Sequence, residues 1–487
     1  MTAPPHESVA PGYGMATGGR PGLASRFTAV GGTSRALVLV LAVFLAVNFA
    51  RAHEMVPLLV ALRLGKLSGA PLVILAFISL PRWQLREAVM RTGPGRGVLA
   101  IAALMILSVP LSIWRGNSVG YITGTGLISY VMFVTTAAVL VDRAALPMIL
   151  RVTMLAVTAG AVRMMLPGAP VVMEGGIPRT LFGYTYDPND TASLFLVSIP
   201  VALYLANRKG AKPWLWYGAT LAMVLGIVRT GSRGGLLGLG ATIAALVVLA
   251  PPRLRTRLYG AAVAATLAFG VVLARNPELR DRFASTFNTE QTDYNYTAAN
   301  GRIELWKRGI HYMVTHPVTG VGIANFPTAE LLIGSEIKRQ QGVYSKHMYT
   351  AHNSLVLIGA ELGFPGLIAY LFVVVTAFVG LWRVRTRSLA GARAGAAEAT
   401  DTSALASAAM TSLTGLFVGG FFLSLAYSPM TLFTFALCAA IIAADKFGPA
   451  AGASTPPALT LRRPTGRRGG LWRWHGAGVS APAHRGR

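Results

Sequence analysis

Residues 214–250 read WLWYGATLAMVLGIVRT, then GSRGG, then LLGLGATIAALVVLA. Two apolar runs, 214–229 and 235–250, flank a short break, and each is close to the minimum length of a membrane-crossing helix. The pair predicts two spans joined by a tight, arginine-bearing turn. Runs of the same kind recur at 36–50, 67–81, 97–113, 119–141, 145–166, 190–206, 258–274, 354–382, 404–426 and 429–445. The expected fold is therefore all-α and polytopic, with about twelve spans, of which 36–50 and 67–81 are short enough to be half-helices.

Composition agrees. Of 487 residues, 53% are hydrophobic and only 13% charged, which excludes an ordinary soluble domain. The 44 Lys and Arg against 18 Asp and Glu give a net charge of +26, which in this setting points to a membrane surface and not to nucleic acid. The single cysteine, Cys438, excludes a disulfide framework and a cysteine-based metal site. Residues 1–34 and 447–487 read as disordered cytoplasmic tails, the second strongly basic. Between them lie spans 1–9 (35–274), a long loop (275–353) and spans 10–12 (354–446).

Basic residues set the orientation. With the N-terminus inside, the cytoplasmic segments hold Arg82, Arg86, Arg91 and Arg96, then Arg208, Lys209 and Lys212, then Arg253, Arg255 and Arg257, then Arg383, Arg385, Arg387 and Arg393. Both termini are thus expected in the cytoplasm and the 275–353 loop on the opposite, outer face. That loop is far longer than an ordinary connection, which marks it as functional. Its segment 301–310 places Leu305, Trp306 and Ile310 on one helical face, predicting an amphipathic helix near the membrane. A second outer loop, 167–189, ends in Asp187-Pro188-Asn189-Asp190, where Asn189 or Asp190 is expected to cap the next helix.

Three places carry candidate chemistry. In 228–235, Arg229 and Arg233 sit at the outer face against the positive-inside trend, beside Ser232 and three glycines. Guanidinium forks and helix-opening N–H groups suit a phosphate, although arginines that snorkel to lipid phosphates give the same pattern. Where the long loop re-enters the membrane, His352 is followed by Asn353 and Ser354. An imidazole there can act as a base on a hydroxyl or serve as a capping group, and His347 competes with His352 for the first role. Glu361 lies inside an apolar run, ahead of a bend expected at Pro365 and Gly366, and is either protonated, paired with a loop arginine or functional. No metal-ligand spacing is present in these segments, so no metal site is expected.

Taken together, Thr230-Gly231-Ser232-Arg233-Gly234, Gly301-Arg302 with Trp306, the run from His316-Pro317 to Asn325-Phe326, His352-Asn353-Ser354 and Glu361-Leu362-Gly363-Phe364-Pro365-Gly366 resemble the O-antigen ligase and polymerase superfamily, over about residues 180–385. The resemblance implies a GT-C-like, all-helical glycosyltransferase of the bacterial inner membrane. Such an enzyme moves a glycan from undecaprenyl diphosphate to lipid A–core or to a growing polysaccharide on the periplasmic side, inverting the anomeric carbon without metal or other cofactor. It also implies that Arg233 and Arg302 bind the diphosphate and that His352 is the catalytic base; from the residues themselves, Arg229 is expected to join the diphosphate site and Ser232, Asn353 and Glu361 to support it. Arg229 and the basic tail have no counterpart in that pattern. Polymerase or exopolysaccharide extension is the nearest alternative. A transporter or flippase of lipid-linked glycan, or a non-catalytic scaffold, are the alternatives of another kind, although a transporter would be expected to carry paired repeats and midplane charges.

Overall fold

The computed structural model describes residues 33–51, 54, 64–174, 177–182, 187–250, 301–340, 348–393 and 397–447, with isolated positions between 255 and 280. Most of the expected ninth span and of both tails, and His347, lie outside the described residues.

The chain is a polytopic helical membrane protein. Its helices are α1 (Arg35–Ala50), α2 (Leu64–Ser79), α3 (Gly93–Ser108), α4 (Arg115–Val139), α5 (Leu146–Arg163), α6 (Pro188–Ala206), α7 (Pro213–Thr230), α8 (Arg233–Leu249), α9 (Arg302–Thr315), α10 (Ser354–Arg393), α11 (Ala397–Gly420) and α12 (Pro429–Phe447). Among the described residues, seven helices are long and apolar enough to cross a membrane, and α1, α8 and most of α2 are shorter apolar helices. α6, α11 and α12 are the most enclosed. α6 packs on α7 and α11, α10 on α3 and α11, and α8 on α11.

Small residues bring these helices together, as expected where lipid removes the hydrophobic drive for association. A Cβ on Gly238 would lie 2.3 Å from Leu196, and one on Gly415 would lie 2.5 Å from the Thr242 hydroxyl. Ser412 reinforces the contact by donating to the Val197 carbonyl at 2.7 Å.

α10 is broken. At Gly363 the backbone leaves the helix (φ 68°, ψ −167°), two residues before the predicted bend at Pro365. Pro365 has no N–H for the Glu361 carbonyl, and Phe364 turns its own N–H away to Pro317 at 2.9 Å. Residues 317–322 fill the gap: Val321 donates to the Ala360 carbonyl at 2.8 Å and Gly322 to the Glu361 carbonyl at 3.1 Å. The approach is so close that a Cβ on Gly320 would lie 2.3 Å from the Glu361 carbonyl carbon. On its other side the same segment docks on the α3–α4 corner. Ser118 donates to Ile323 (2.8 Å), Asn117 donates to Ala324 (2.7 Å), and Asn325 donates to Ser118 (3.0 Å).

Three details differ from the sequence reading. The cap of α6 is Asp187, whose carboxylate accepts the N–H groups of Asn189 and Asp190 at 2.6 and 2.9 Å, because Pro188 occupies the first helical position. On α9 the buried face is Leu305, Arg308, Gly309 and Tyr312, with Trp306 half-buried, whereas Ile310 is exposed. A face repeating at three to four residues from Leu305 passes through 309 and 312, not 310. The eleventh apolar run ends as helix at Gly420, and residues 421–428 form a connection packed under the outer loop.

A β-hairpin, β1 (Val171–Glu174) and β2 (Ile177–Thr180), follows α5, with Val172 paired to Arg179. It is anchored by Phe182, which is fully buried, stacks edge-on with Phe195 at 5.8 Å and occupies the notch left by Gly160.

Candidate active site

Local chemistry builds the turn between α7 and α8. The Thr230 hydroxyl donates to the Ile227 carbonyl (2.6 Å), and Gly231 takes the left-handed conformation (φ 58°) and returns its N–H to Val228 (3.0 Å). Ser232 then caps α8 by accepting the Gly235 N–H at 3.0 Å. Arg233 opens α8 and is half-buried, while Arg229, the last basic residue of α7, is exposed. The capped helix start and the adjacent guanidinium together favour a negative charge.

Arg302 likewise holds the first position of α9. One turn on, Trp306 donates its indole N–H to the Ala351 carbonyl at 3.0 Å and stacks edge-on with Phe421, the centroids 5.4 Å apart. Phe421 in turn meets Phe422 edge-on at 5.4 Å, and Phe422 lies against Gly234, where a Cβ would come within 3.0 Å of it.

His352 follows Ala351 and is half-buried, with φ 46°, a left-handed backbone that a residue with a side chain seldom adopts. The connection before α12 holds it there. The His352 N–H donates to Ser424 (2.9 Å), and Ser354 donates to the Leu423 carbonyl (2.7 Å) while accepting the Leu425 N–H (2.9 Å). Asn353 is buried and caps α10, accepting the N–H groups of Leu355 (2.9 Å) and Val356 (3.1 Å).

The turn carrying Arg233, the helix carrying Arg302 and the turn carrying His352 therefore share one seat, the connection 421–428. Sequence reading missed this seat because its run of Phe421, Phe422, Leu423 and Leu425 extended the apolar stretch of α11. The paired Gly419-Gly420, the serines Ser424 and Ser428, and Pro429 were the available signs of a break. Glu361 supports the seat from below: its carboxylate accepts the Phe326 N–H at 3.0 Å, rather than a described arginine, and faces the Tyr427 hydroxyl. His311 is exposed and His316 bonds its neighbour Thr315 at 3.0 Å, both apart from this cluster.

A buried charge cluster clamps α9 to the helical turns after it. Arg308 grips Glu330 with both arms (2.8 and 2.9 Å), Tyr312 donates to the same carboxylate at 2.8 Å, and the Lys338 ammonium stands 3.8 Å from it and 5.5 Å from the Tyr349 ring centroid. Burial, then the Glu330 charge, push the Tyr312 phenol far above its usual range. Burial lowers the Lys338 ammonium against the opposing pull of Glu330. For Arg308, burial is outweighed by the bond and charge of Glu330, and its pKa rises.

Sequence reading also passed over Arg179. It is 2% exposed, donates Nε–H to the Thr230 carbonyl at 2.9 Å and reaches Asn189 Oδ1 at 2.7 Å. The available sequence sign was the Gly175-Gly176 pair, a two-residue hairpin-turn signal.

The fold is that of a polytopic helical membrane protein in which the turn carrying Arg233, the helix carrying Arg302 and the turn carrying His352 each contact the connection 421–428. Residues 218–371 match the family model for O-antigen ligase, which bears out the resemblance to the O-antigen ligase and polymerase superfamily. The matched stretch runs from α7 into α10 and contains Arg229, Arg233, Arg302, His352 and Glu361. It supports a glycan-transferring function of the ligase or polymerase type. No curated protein matches the chain.

Proposed function

We propose that the chain is a bacterial inner-membrane glycosyltransferase of the O-antigen ligase type, GT-C-like, with about twelve spans and both termini cytoplasmic. It transfers a glycan from undecaprenyl diphosphate to lipid A–core on the periplasmic face, or to a growing polysaccharide if it acts as a polymerase. The observation that carries the reading is the common seat at 421–428 for the Arg233 turn, the Arg302 helix and the His352 turn. Arg233 and Arg302 hold the donor diphosphate, with Arg229 at the lipid surface beside them. Ser232, Asn353 and Glu361 fix the backbone that carries these groups.

The chemistry is one displacement. The acceptor hydroxyl oxygen attacks the anomeric carbon, the bond from that carbon to the diphosphate oxygen breaks, and undecaprenyl diphosphate leaves with the electron pair. The hydroxyl proton passes to the His352 imidazole, and the anomeric carbon inverts. Since diphosphate is a good leaving group, two guanidiniums that stabilise its developing charge supply the electrostatic help the step requires, without a metal.

The test is a strain lacking the gene, complemented with His352→Ala, His347→Ala, Arg233→Ala or Arg302→Ala at matched membrane abundance, with surface polysaccharide, lipid A–core and lipid-linked glycan followed together. Long lipid-linked chains that accumulate while decorated core disappears identify a ligase. Short chains identify a polymerase. Unchanged glycans in the His352, Arg233 and Arg302 variants refute the catalytic reading, and loss in the His347 variant alone moves the base to that residue.

A further inference from the structure

We propose that Arg179 is a positioning residue for the anion-binding turn that carries Arg233. This rests on the reading of Arg233 as a diphosphate contact. Arg179 is buried, and its guanidinium reaches the ends of two helices. Nε–H meets the carbonyl of Thr230, the last residue of α7, where helical carbonyls lack partners and the dipole is negative. The terminal nitrogen meets Asn189, in the first turn of α6.

Only Gly231 and Ser232 separate the Thr230 carbonyl from Arg233. Gly231, in its left-handed conformation, is the most permissive point of the chain there. Without a tether on Thr230, rotation at Gly231 would swing the Ser232 cap and the Arg233 stem together. Arg179 supplies that tether from outside the turn, through a hairpin itself fixed by Phe182 in the Gly160 notch. A planar fork suits the task because it spans two acceptors in fixed relative directions, which an ammonium does not.

The test measures Kd for undecaprenyl diphosphate and for undecaprenyl phosphate with the full chain in nanodiscs. The proteins compared are wild type, Arg179→Ala, Arg179→Lys, Arg233→Ala and the Arg179→Ala/Arg233→Ala double variant. Arg179→Ala is expected to weaken the diphosphate by about tenfold, to weaken the monophosphate less, and to add almost nothing in the Arg233→Ala background, since a residue acting through Arg233 has nothing left to position. Arg179→Lys keeps the charge without the fork and is expected to remain weak. If Arg179→Ala is not recovered monodisperse, Asn189→Ala releases one end of the guanidinium and completes the same cycle. An unchanged Kd with a lowered Tm, or equal losses in both backgrounds, overturns the positioning role. An unchanged Kd in Arg233→Ala itself overturns the reading of Arg233 and the inference with it.

Discussion

Replacing Glu330 by alanine is expected to open the loop helix α9 while leaving the bundle folded. Glu330 is fully buried and is gripped by both arms of Arg308, by the Tyr312 hydroxyl and, at 3.8 Å, by Lys338. Its removal takes away the anion that two buried cations share. Breaking a buried pair in this way costs about 3–5 kcal/mol. At 1.4 kcal/mol per tenfold, the population in which α9 is open should rise by roughly 10² to 4 × 10³. Hydrogen exchange followed by mass spectrometry in nanodiscs reads this directly, as faster exchange of peptides covering 302–315. Glu330→Gln keeps an amide oxygen for Arg308 but loses the charge, and should fall between wild type and Glu330→Ala. Exchange accelerated less than threefold in Glu330→Ala would refute the argument. So would an equal acceleration in α6 and α12, since the cluster would then be holding the whole bundle.

Four further outcomes follow from the geometry. Gly160→Ala sets a Cβ 1.4 Å from the Phe182 ring and should cost about 1–3 kcal/mol by overpacking, seen as a lower Tm in detergent that Phe182→Leu partly restores. Gly363→Ala forces a side chain into a glycine-only backbone region and against the Pro317 carbonyl at 2.5 Å, and should cost about 1–3 kcal/mol and reduce membrane abundance. Asp187→Ala should cost about 1 kcal/mol as a lost helix cap, while Asn189→Ala leaves that cap in place; thermal melts of the two separate the roles. Trp306→Phe loses the bond to Ala351 but keeps the stack on Phe421, and should lower glycan transfer by up to about tenfold at unchanged abundance.

Hydropathy located the helices because a bilayer is a solvent that nearly every residue of a span must match, so α4, α6 and α8 begin and end close to their apolar runs. It fails where a segment is apolar for another reason. Phe421 packs on Trp306 while staying partly exposed, Phe422 packs on Gly234 of α8 and Leu423 is buried, and hydropathy alone does not separate such contacts from a membrane. Arg233 was legible because a glycine-flanked arginine interrupts two spans. Arg179 was not, because the Thr230 carbonyl it meets is fifty-one residues away and is backbone, which no side-chain pattern announces. The same holds for the α10 break: Pro365 announced it, but the partners that permit it, Val321 and Gly322, lie some forty residues earlier and contribute only backbone.

The segment threaded into that break also constrains how the protein is made. Ala360 and Glu361 present carbonyls that their own helix does not satisfy, so α10 is not a self-sufficient hairpin arm to be released into lipid by itself. Residues 317–322 leave the ribosome before α10 and must stay beside the α3–α4 corner until it arrives. Insertion of α10 and folding of the segment that fills its break are then a single late step in biogenesis. Chains truncated before residue 360 should remain bound to the insertion machinery or its chaperones, whatever the hydropathy of the spans they already contain.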